Sequence, residues 1–455
     1  MNNIHVKKTI HFSGIGGVGM SALAQMAAME GRPVSGSDRD FDRGRNLGVK
    51  AALEKLGVKI FPQDGSGVNG DTAELALSTA IEDTNPEVVR AKEGGVKISH
   101  RSELLAAYVN GFEAVAVAGT SGKSTAAAMT FAVLEAGGLE PSIITGGALG
   151  QLRERGLVGN AFRGRGRALV VEADESDGTI VRYKARTGVL LNISKDHKEV
   201  PELNKIFSEF AGNCGRVLVN ADDPAAAGLL PAAEKFGFSA GGWKVADLKL
   251  GPFSSEFKVN GVPFRLPAPG RYNVENALAA CAAGAVHGVA LEAAARGLEK
   301  FRGVERRFVL VGEKNGVTVI DDYAHNPAKI AAVLSALHQA PGRRVIAVYQ
   351  PHGFAPTRLL KAELIESFAS GLAPEDRLLM PEIYYAGGTV NKNISSKDIA
   401  DAVAARGRKT AFYEDRSAIP AEVAGLAAPG DIVAVLGARD ATLADFARQI
   451  FEALP

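Results

Sequence analysis

Val115-Ala116-Val117-Ala118-Gly119-Thr120-Ser121-Gly122-Lys123-Ser124-Thr125 sets the architecture of the chain around it. Apolar, β-prone residues feed a glycine turn, and Lys-Ser-Thr opens a helix-prone segment through Ala126, Ala127, Ala128 and Met129. A strand that breaks at such a turn and resumes as a helix aims backbone N–H groups and the helix N-terminus at one point, which suits phosphate. Lys123 adds a positive charge there, and Ser124 offers a hydroxyl to Mg²⁺. The general phosphate-loop pattern has glycine where Val117 stands, so the match rests on Gly119 to Thr125. A nucleoside triphosphate site is the reading with chemical content; a glycine-punctuated strand–helix turn is the alternative.

Upstream, residues 5–12 read as a short strand that runs into Gly14-Ile15-Gly16-Gly17-Val18-Gly19-Met20. A helix is expected over 21–29 and a second strand over 33–38, ending at Ser37-Asp38. This G-x-G-x-x-G turn, with an acidic residue closing the next strand, is the arrangement that holds a pyrophosphate and a ribose. It predicts a diphosphate-bearing ligand, with packing alone as the other use of the glycines. Strands are further expected over 58–61, 74–78 and 96–99, and a helix after Asn85-Pro86, where proline suits the first helical position.

Downstream, residues 141–147 read as a strand ending in a flexible loop, and the Arg/Gly-rich run to Arg167 as a solvated excursion. Residues 168–171 form a buried strand that delivers Glu172-Ala173-Asp174-Glu175-Ser176-Asp177 at its end. So many neighbouring carboxylates cannot all be buried without cations, because mutual repulsion and lost hydration oppose ionisation. Either they face water or at least one faces Mg²⁺. A strand over 188–193 ends at Asp196-His197, and His197 is either a surface histidine or a metal ligand. Strand runs follow over 216–220 and 243–266, then Asn273 and Asn276 ahead of an alanine-rich helix over 277–286. In the last third, a strand over 317–320 precedes Asp321-Asp322-Tyr323-Ala324-His325-Asn326-Pro327, and a strand over 343–349 delivers Gln350-Pro351-His352. The repeated strand–helix units predict an α/β protein with parallel sheets. Domains are expected over about 1–107, 108–308 and 309–455.

The 455 residues carry 52 basic and 51 acidic side chains, a net charge of +1 that calls for neither nucleic acid nor an anionic membrane. Two cysteines, Cys214 and Cys281, cannot build a disulfide framework and read as buried thiols. No apolar run has membrane-spanning length and no signal peptide is evident, so a cytoplasmic protein is expected, monomeric or homodimeric.

Several ordered motifs resemble the Mur ligases, ATP-dependent amide-forming enzymes of bacterial cell-wall synthesis, over nearly the whole chain. They are His11-Phe12-Ser13-Gly14-Ile15-Gly16-Gly17-Val18-Gly19-Met20-Ser21, Gly36-Ser37-Asp38, Glu172 to Asp177, Arg306-Arg307-Phe308, Asp321 to His325 and Gln350-Pro351-His352. Within the family they are most similar to the branch that joins L-alanine to UDP-N-acetylmuramate. The resemblance implies three domains: a Rossmann-like first domain for the UDP-sugar, a P-loop ATPase-like central domain, and a Rossmann-like last domain that closes over both and helps bind the acceptor amine. It implies that ATP phosphorylates a carboxylate and that the amine then displaces phosphate. Gly14, Ile15, Gly16, Gly17, Val18, Gly19, Ser37, Asp38 and Ser78 would contact the UDP-sugar. Gly119, Thr120, Ser121, Gly122, Lys123, Ser124, Thr125, Asn276, Arg307 and Asp322 would contact ATP. Ser124, Glu172 and His197 would hold magnesium, and Lys123, Glu172, His197, His325 and His352 would serve the chemistry.

This chain departs from the branch pattern at named positions. Ser121 and Asn326 stand where histidines are usual, and Gly353-Phe354 replaces Arg-Tyr after Gln350-Pro351-His352. The loss at Gly353 removes a fixed, multidentate guanidinium donor. Ile193-Ser194-Lys195 and Gly437-Ala438-Arg439-Asp440 differ as well. Other readings are a peptide ligase of peptidoglycan recycling, a divergent paralogue with another substrate, a non-catalytic nucleotide-sugar sensor, and an NAD-dependent oxidoreductase, which would leave Gly122-Lys123-Ser124 without a task.

Overall fold

The computed structural model describes residues 8–195, 198–240, 242–339, 342–385, 391–440 and 442–455. They fall into two compact bodies, one over residues up to 246 with 258–264 and 275–304, the other over 247–257, 265–274 and 305–455. Each is an α/β assembly, as the alternation of strand and helix patterns predicts.

The first body contains two sheets. One has five parallel strands in the order Lys59–Phe61, Val34–Ser37, Thr9–Ser13, Thr72–Leu77, Lys97–His100. Chain order reverses direction across Thr9–Ser13, and at such a point the strand ends open a crevice for ligand. Buried polar side chains pin this sheet from below: His11 Nδ1 meets Ser35 Oγ at 2.8 Å and its Nε2 meets Glu87 Oε1 at 2.9 Å. The other sheet runs Glu234–Phe236, Arg216–Asn220, Thr187–Leu190, Glu113–Ala118, Ala168–Glu172, Ser142–Ile144, Ala161–Phe162, parallel except for the last pair. Its central strand is covered on both faces, which is why residues 114–118 read as one apolar run rather than an alternation. One contiguous apolar core joins the two sheets, from Ile10 and Phe12 to Leu169, Phe207 and Val219.

The Arg/Gly-rich segment is a correction to the sequence reading. It is a packed hairpin arm, with helix Gly150–Glu154, buried Leu152, Val158 and Asn160, and strand Ala161–Phe162. Its arginines are carried by acidic partners, Arg163 by Glu30 at 3.5 Å and Arg165 by Glu140.

The second body is built on six strands in the order Val309–Lys314, Val317–Asp322, Ile432–Gly437, Val345–Gln350, Arg377–Pro381, Lys409–Tyr413. Only the first pair is antiparallel. One face packs against helices Pro327–Leu337, Lys361–Gly371 and Ser396–Ala404, the other against Ile419–Leu426 and Leu443–Ala453. The strand Val309–Lys314 was not anticipated; its half-exposed residues lack a continuous apolar signature. Three further strands, Val245–Leu250, Ser255–Val259 and Val262–Leu266, form a small separate sheet. Among the described residues no helix is long and apolar enough to cross a membrane. Cys214 and Cys281 are free, and burial pushes both thiols up to about 12.

Candidate active site

In the first body, Gly14 N and Ile15 N each donate to Ser37 O at 2.9 Å, folding the glycine turn onto the neighbouring strand end. Helix Val18–Met29 then begins without a side-chain cap, so its first N–H groups remain available to an anion. A cavity of about 360 Å³ opens there, lined by Gly14, Gly16, Gly17, Val18, Gly19, Asp38, Ser78 and Arg101 among others. Asp38 braces the floor: its carboxylate accepts from Gly16 N at 2.9 Å and from Asp40 N at 2.8 Å. A Cβ at Gly16 would lie 2.8 Å from that carboxylate, so the close approach requires glycine. Ile15 and Ser37 do not line the cavity; Ile15 is fully buried and Ser37 serves through its carbonyl. Arg101 was missed in the sequence. Its guanidinium stands beside Gly19 and pairs with Asp177 of the acidic run at 2.9 Å.

The phosphate loop lies between strand Glu113–Ala118 and helix Lys123–Ala136. Asn192, another residue the sequence did not flag, holds its shape by accepting from Ser121 N at 2.9 Å and donating to Ser121 O at 3.0 Å. Thr120 Oγ1 donates to Asn192 Oδ1 at 3.0 Å, and Ser194 N donates back to Thr120 Oγ1 at 3.0 Å. Gly122 adopts φ +84°, a conformation that favours glycine, and a Cβ there would come 2.7 Å from Asn276 Oδ1. Asn276 is thus brought against the loop across 154 residues of chain, as 276 minus 122 gives. The buried Ser121 hydroxyl has no hydrogen-bond partner among the described residues.

Glu172 ends its strand facing Ser124, whose hydroxyl lies 2.9 Å from both carboxylate oxygens. Gly146 N and Thr145 Oγ1 also donate to Glu172 Oε2, at 2.7 and 3.1 Å. Lys123 Nζ donates to Gly119 O and to Glu175 Oε2, each at 2.8 Å. Burial opposes the Lys123 charge, yet Glu175, Asp174 and Glu172 outweigh it and hold the amine protonated above its ordinary range. Burial likewise pushes the Glu175 carboxyl upward while Lys123 draws it back. Glycine-permitted loop, protonated lysine, helix N-terminus and unsatisfied hydroxyl fit a triphosphate. Ser124 and Glu172 are oxygen donors of the kind that magnesium takes. Thr125 follows Ser124 in the helix; His197 lies outside the described residues.

In the second body, Asp322 is buried at the end of strand Val317–Asp322 and accepts from Phe308 N and Ala324 N at 2.7 Å each. Burial pushes its carboxyl upward, against the pull of Arg307. Asp321, paired with Arg306 at 3.3 Å, is pushed up to about 6 for the same reason. Arg306 and Phe308 both have positive φ, at 57° and 53°, so the backbone on either side of Arg307 is held in a costly conformation. Arg307 stacks over the Tyr323 ring at 4.7 Å. His325 and His352 meet with ring centroids 5.2 Å apart, and Asn326 caps helix Pro327–Leu337. Gly353 has φ +71°, a conformation in which an arginine would be strained.

Family models match in chain order: the Mur ligase family catalytic domain over residues 9–113, the Mur ligase middle domain over 117–284, and the Mur ligase glutamate ligase domain over 306–439. A UDP-N-acetylmuramate–L-alanine ligase from Nitratidesulfovibrio vulgaris is 35% identical over 453 residues, covering 96% of this chain and 97% of its own. The chain belongs to the Mur ligase family. This Mur ligase is similar in structure to the UDP-N-acetylmuramate–alanine ligase MurC of Thermotoga maritima, at TM-score 0.79 and 27% identity over 98% of each chain. It shares its fold with a murein peptide ligase of Psychrobacter arcticus, at TM-score 0.68 and 20% identity over 98% of each chain. Membership makes it an ATP-dependent ligase with three α/β Mur ligase domains and sets aside the oxidoreductase reading.

Proposed function

We propose that this Mur ligase joins L-alanine to UDP-N-acetylmuramate at the expense of ATP, supplying a peptidoglycan precursor in the cytoplasm. The observation that carries the reading is the convergence of Lys123, Ser124 and Glu172 at adjacent strand ends, within a chain 35% identical over nearly its full length to a ligase named for that reaction. We assign residues 1–107 to the UDP-sugar, 108–308 to ATP and 309–455 to the acceptor.

A carboxylate is a poor acyl donor until one oxygen takes a phosphoryl group and becomes a mixed anhydride, the acyl phosphate. The γ-phosphoryl group of ATP passes to the donor carboxylate, ADP leaves, and the acceptor amine attacks the acyl carbon, expelling phosphate and losing a proton. Charge gathers on the transferring group, and Lys123 with the N–H groups of Gly122 to Ser124 at the helix start is suited to offset it. Magnesium, when bound by Ser124, Glu172 and the proposed His197, supplies further neutralisation of phosphate charge. Asn276, Arg307 and Asp322 are assigned to the nucleotide. His325 and His352 are assigned to the acceptor side, where Gly353 marks the main departure. No serine or cysteine nucleophile is required.

Phosphate release with ATP, Mg²⁺, UDP-N-acetylmuramate and a panel of single amino acids and peptides, with the product identified by mass, tests this. L-Alanine-dependent release with the matching amide is expected. Amide formation only with a peptide supports the recycling reaction, and binding of the sugar nucleotide without turnover across the panel supports a sensor.

A further inference from the structure

We infer that Asn160 is a positioning residue: its amide fixes the start of the glycine-loop helix against the loop that holds Glu172. The inference rests on the function proposed above and adds a residue to it. Asn160 lies in the segment whose composition reads as solvated, yet only 2% of its surface is exposed.

Its Nδ2 donates to Val18 O at 2.6 Å and lies 3.0 Å from Ser21 Oγ, while its Oδ1 accepts from Gln25 Nε2 at 2.8 Å. Gln25, fully buried, accepts in turn from Val158 N at 3.0 Å. Val18 and Ser21 are in the first turn of the helix whose N–H groups face the 360 Å³ cavity. On its other side, Asn160 O accepts from Thr145 N at 2.9 Å, beside the Ile144–Ala161 strand pair. Thr145 Oγ1 and Gly146 N both donate to Glu172, which faces Ser124. One residue therefore touches the donor seat with its side chain and the support of the proposed metal carboxylate with its backbone.

Apolar packing would bury this interface equally well but would let the helix rotate and slide. A buried amide with its donors and acceptor engaged admits one orientation; without it Val18 O keeps Ser21 Oγ and Gln25 Nε2 keeps Ser21 O, both within the helix, and the side-chain tie from the helix to the 160 segment is lost. The reaction needs the donor carboxylate and the phosphoryl group aligned to within an ångström, and misplacement of that order costs about a hundredfold in rate.

The test compares wild type with Asn160→Leu and Gln25→Met, using UDP-N-acetylmuramate, L-alanine and Mg-ATP. At saturating substrates and well below the unfolding temperature, Asn160→Leu should lower kcat about a hundredfold. KM for ATP should stay within about twofold, because the phosphate loop is untouched. Gln25→Met, which takes the partner from Asn160 Oδ1 and leaves the Nδ2 bonds in place, should lower kcat about tenfold and serves if the leucine variant does not fold. An unchanged kcat per folded molecule in the folded variants, with only a lower unfolding temperature, would make Asn160 a packing residue and overturn the inference alone. No amide product from the wild type would remove the proposed function and this role with it.

Discussion

Replacing Gly122 with alanine perturbs the phosphate loop at its tightest point. The residue sits at φ +84° and ψ −10°, so a side chain incurs the left-handed penalty of roughly 1–2 kcal/mol. The new Cβ also falls 2.7 Å from Asn276 Oδ1, closer than such atoms stand, and Asn276 is the element that must yield because the loop is braced by Asn192 on its far side. Gly138, just past the end of the same helix, supplies the control. It has φ +77° with nothing within 4 Å of its would-be Cβ, so Gly138→Ala incurs the backbone penalty without the collision. Gly138→Ala should lose about 1 kcal/mol in thermal unfolding, and Gly122→Ala more, because the collision adds to the same backbone penalty. Only Gly122→Ala should weaken Mg-ADP in calorimetry, by about tenfold, which corresponds to about 1.4 kcal/mol. Equal nucleotide affinity for the two variants would refute the placement of Asn276 and Gly122 at the nucleotide.

Other perturbations separate charge, site and stability. Lys123→Ala should cut turnover by more than about a hundredfold while leaving UDP-N-acetylmuramate affinity nearly unchanged in calorimetry. It also leaves Glu175 buried without its cation, a loss on the order of 3 kcal/mol that Lys123→Ala with Glu175→Gln should largely restore in denaturant melts, without restoring turnover. Arg101→Ala should weaken the sugar nucleotide about tenfold and leave Mg-ADP binding alone. His338, 2.9 Å from the buried Asp376, has its pKa raised chiefly by that hydrogen bond, and the pair draws Asp376 below its usual range. Its contribution is thus full below the ordinary histidine value of about 6.5 and fades as pH rises through the raised one, so His338→Gln should destabilise by about 1 kcal/mol near pH 6 and by little near pH 9.

The parts that the sequence discloses are those whose causes are local. The phosphate loop, the first glycine turn and the Asn85-Pro86 and Asn326-Pro327 helix starts each depend on neighbours a few residues away, and each forms where read, except that the first helix begins at Val18, inside the expected turn. Asn160, Asn192 and Arg101 act across 71 to 142 residues of chain, and nothing in their own surroundings marks them. Composition over 150–167 reads as solvated because Arg165 and Arg167 do face water; Leu152, Val158 and Asn160 in the same arm are buried by residues distant in the chain, which nothing local marks. Strand Ala161–Phe162, two residues long, is too short for any period to register. At Gly353 the letter alone reports a lost guanidinium; that the residue holds a left-handed backbone, which favours glycine, shows only in the structure.

In the proposed reaction a carboxylate of the donor is phosphorylated before the amide forms. Labelling the UDP-N-acetylmuramate carboxylate with oxygen-18 and analysing the released phosphate by mass tests it directly. One labelled oxygen should appear in inorganic phosphate for each amide made; unlabelled phosphate accumulating beside labelled amide would contradict the account.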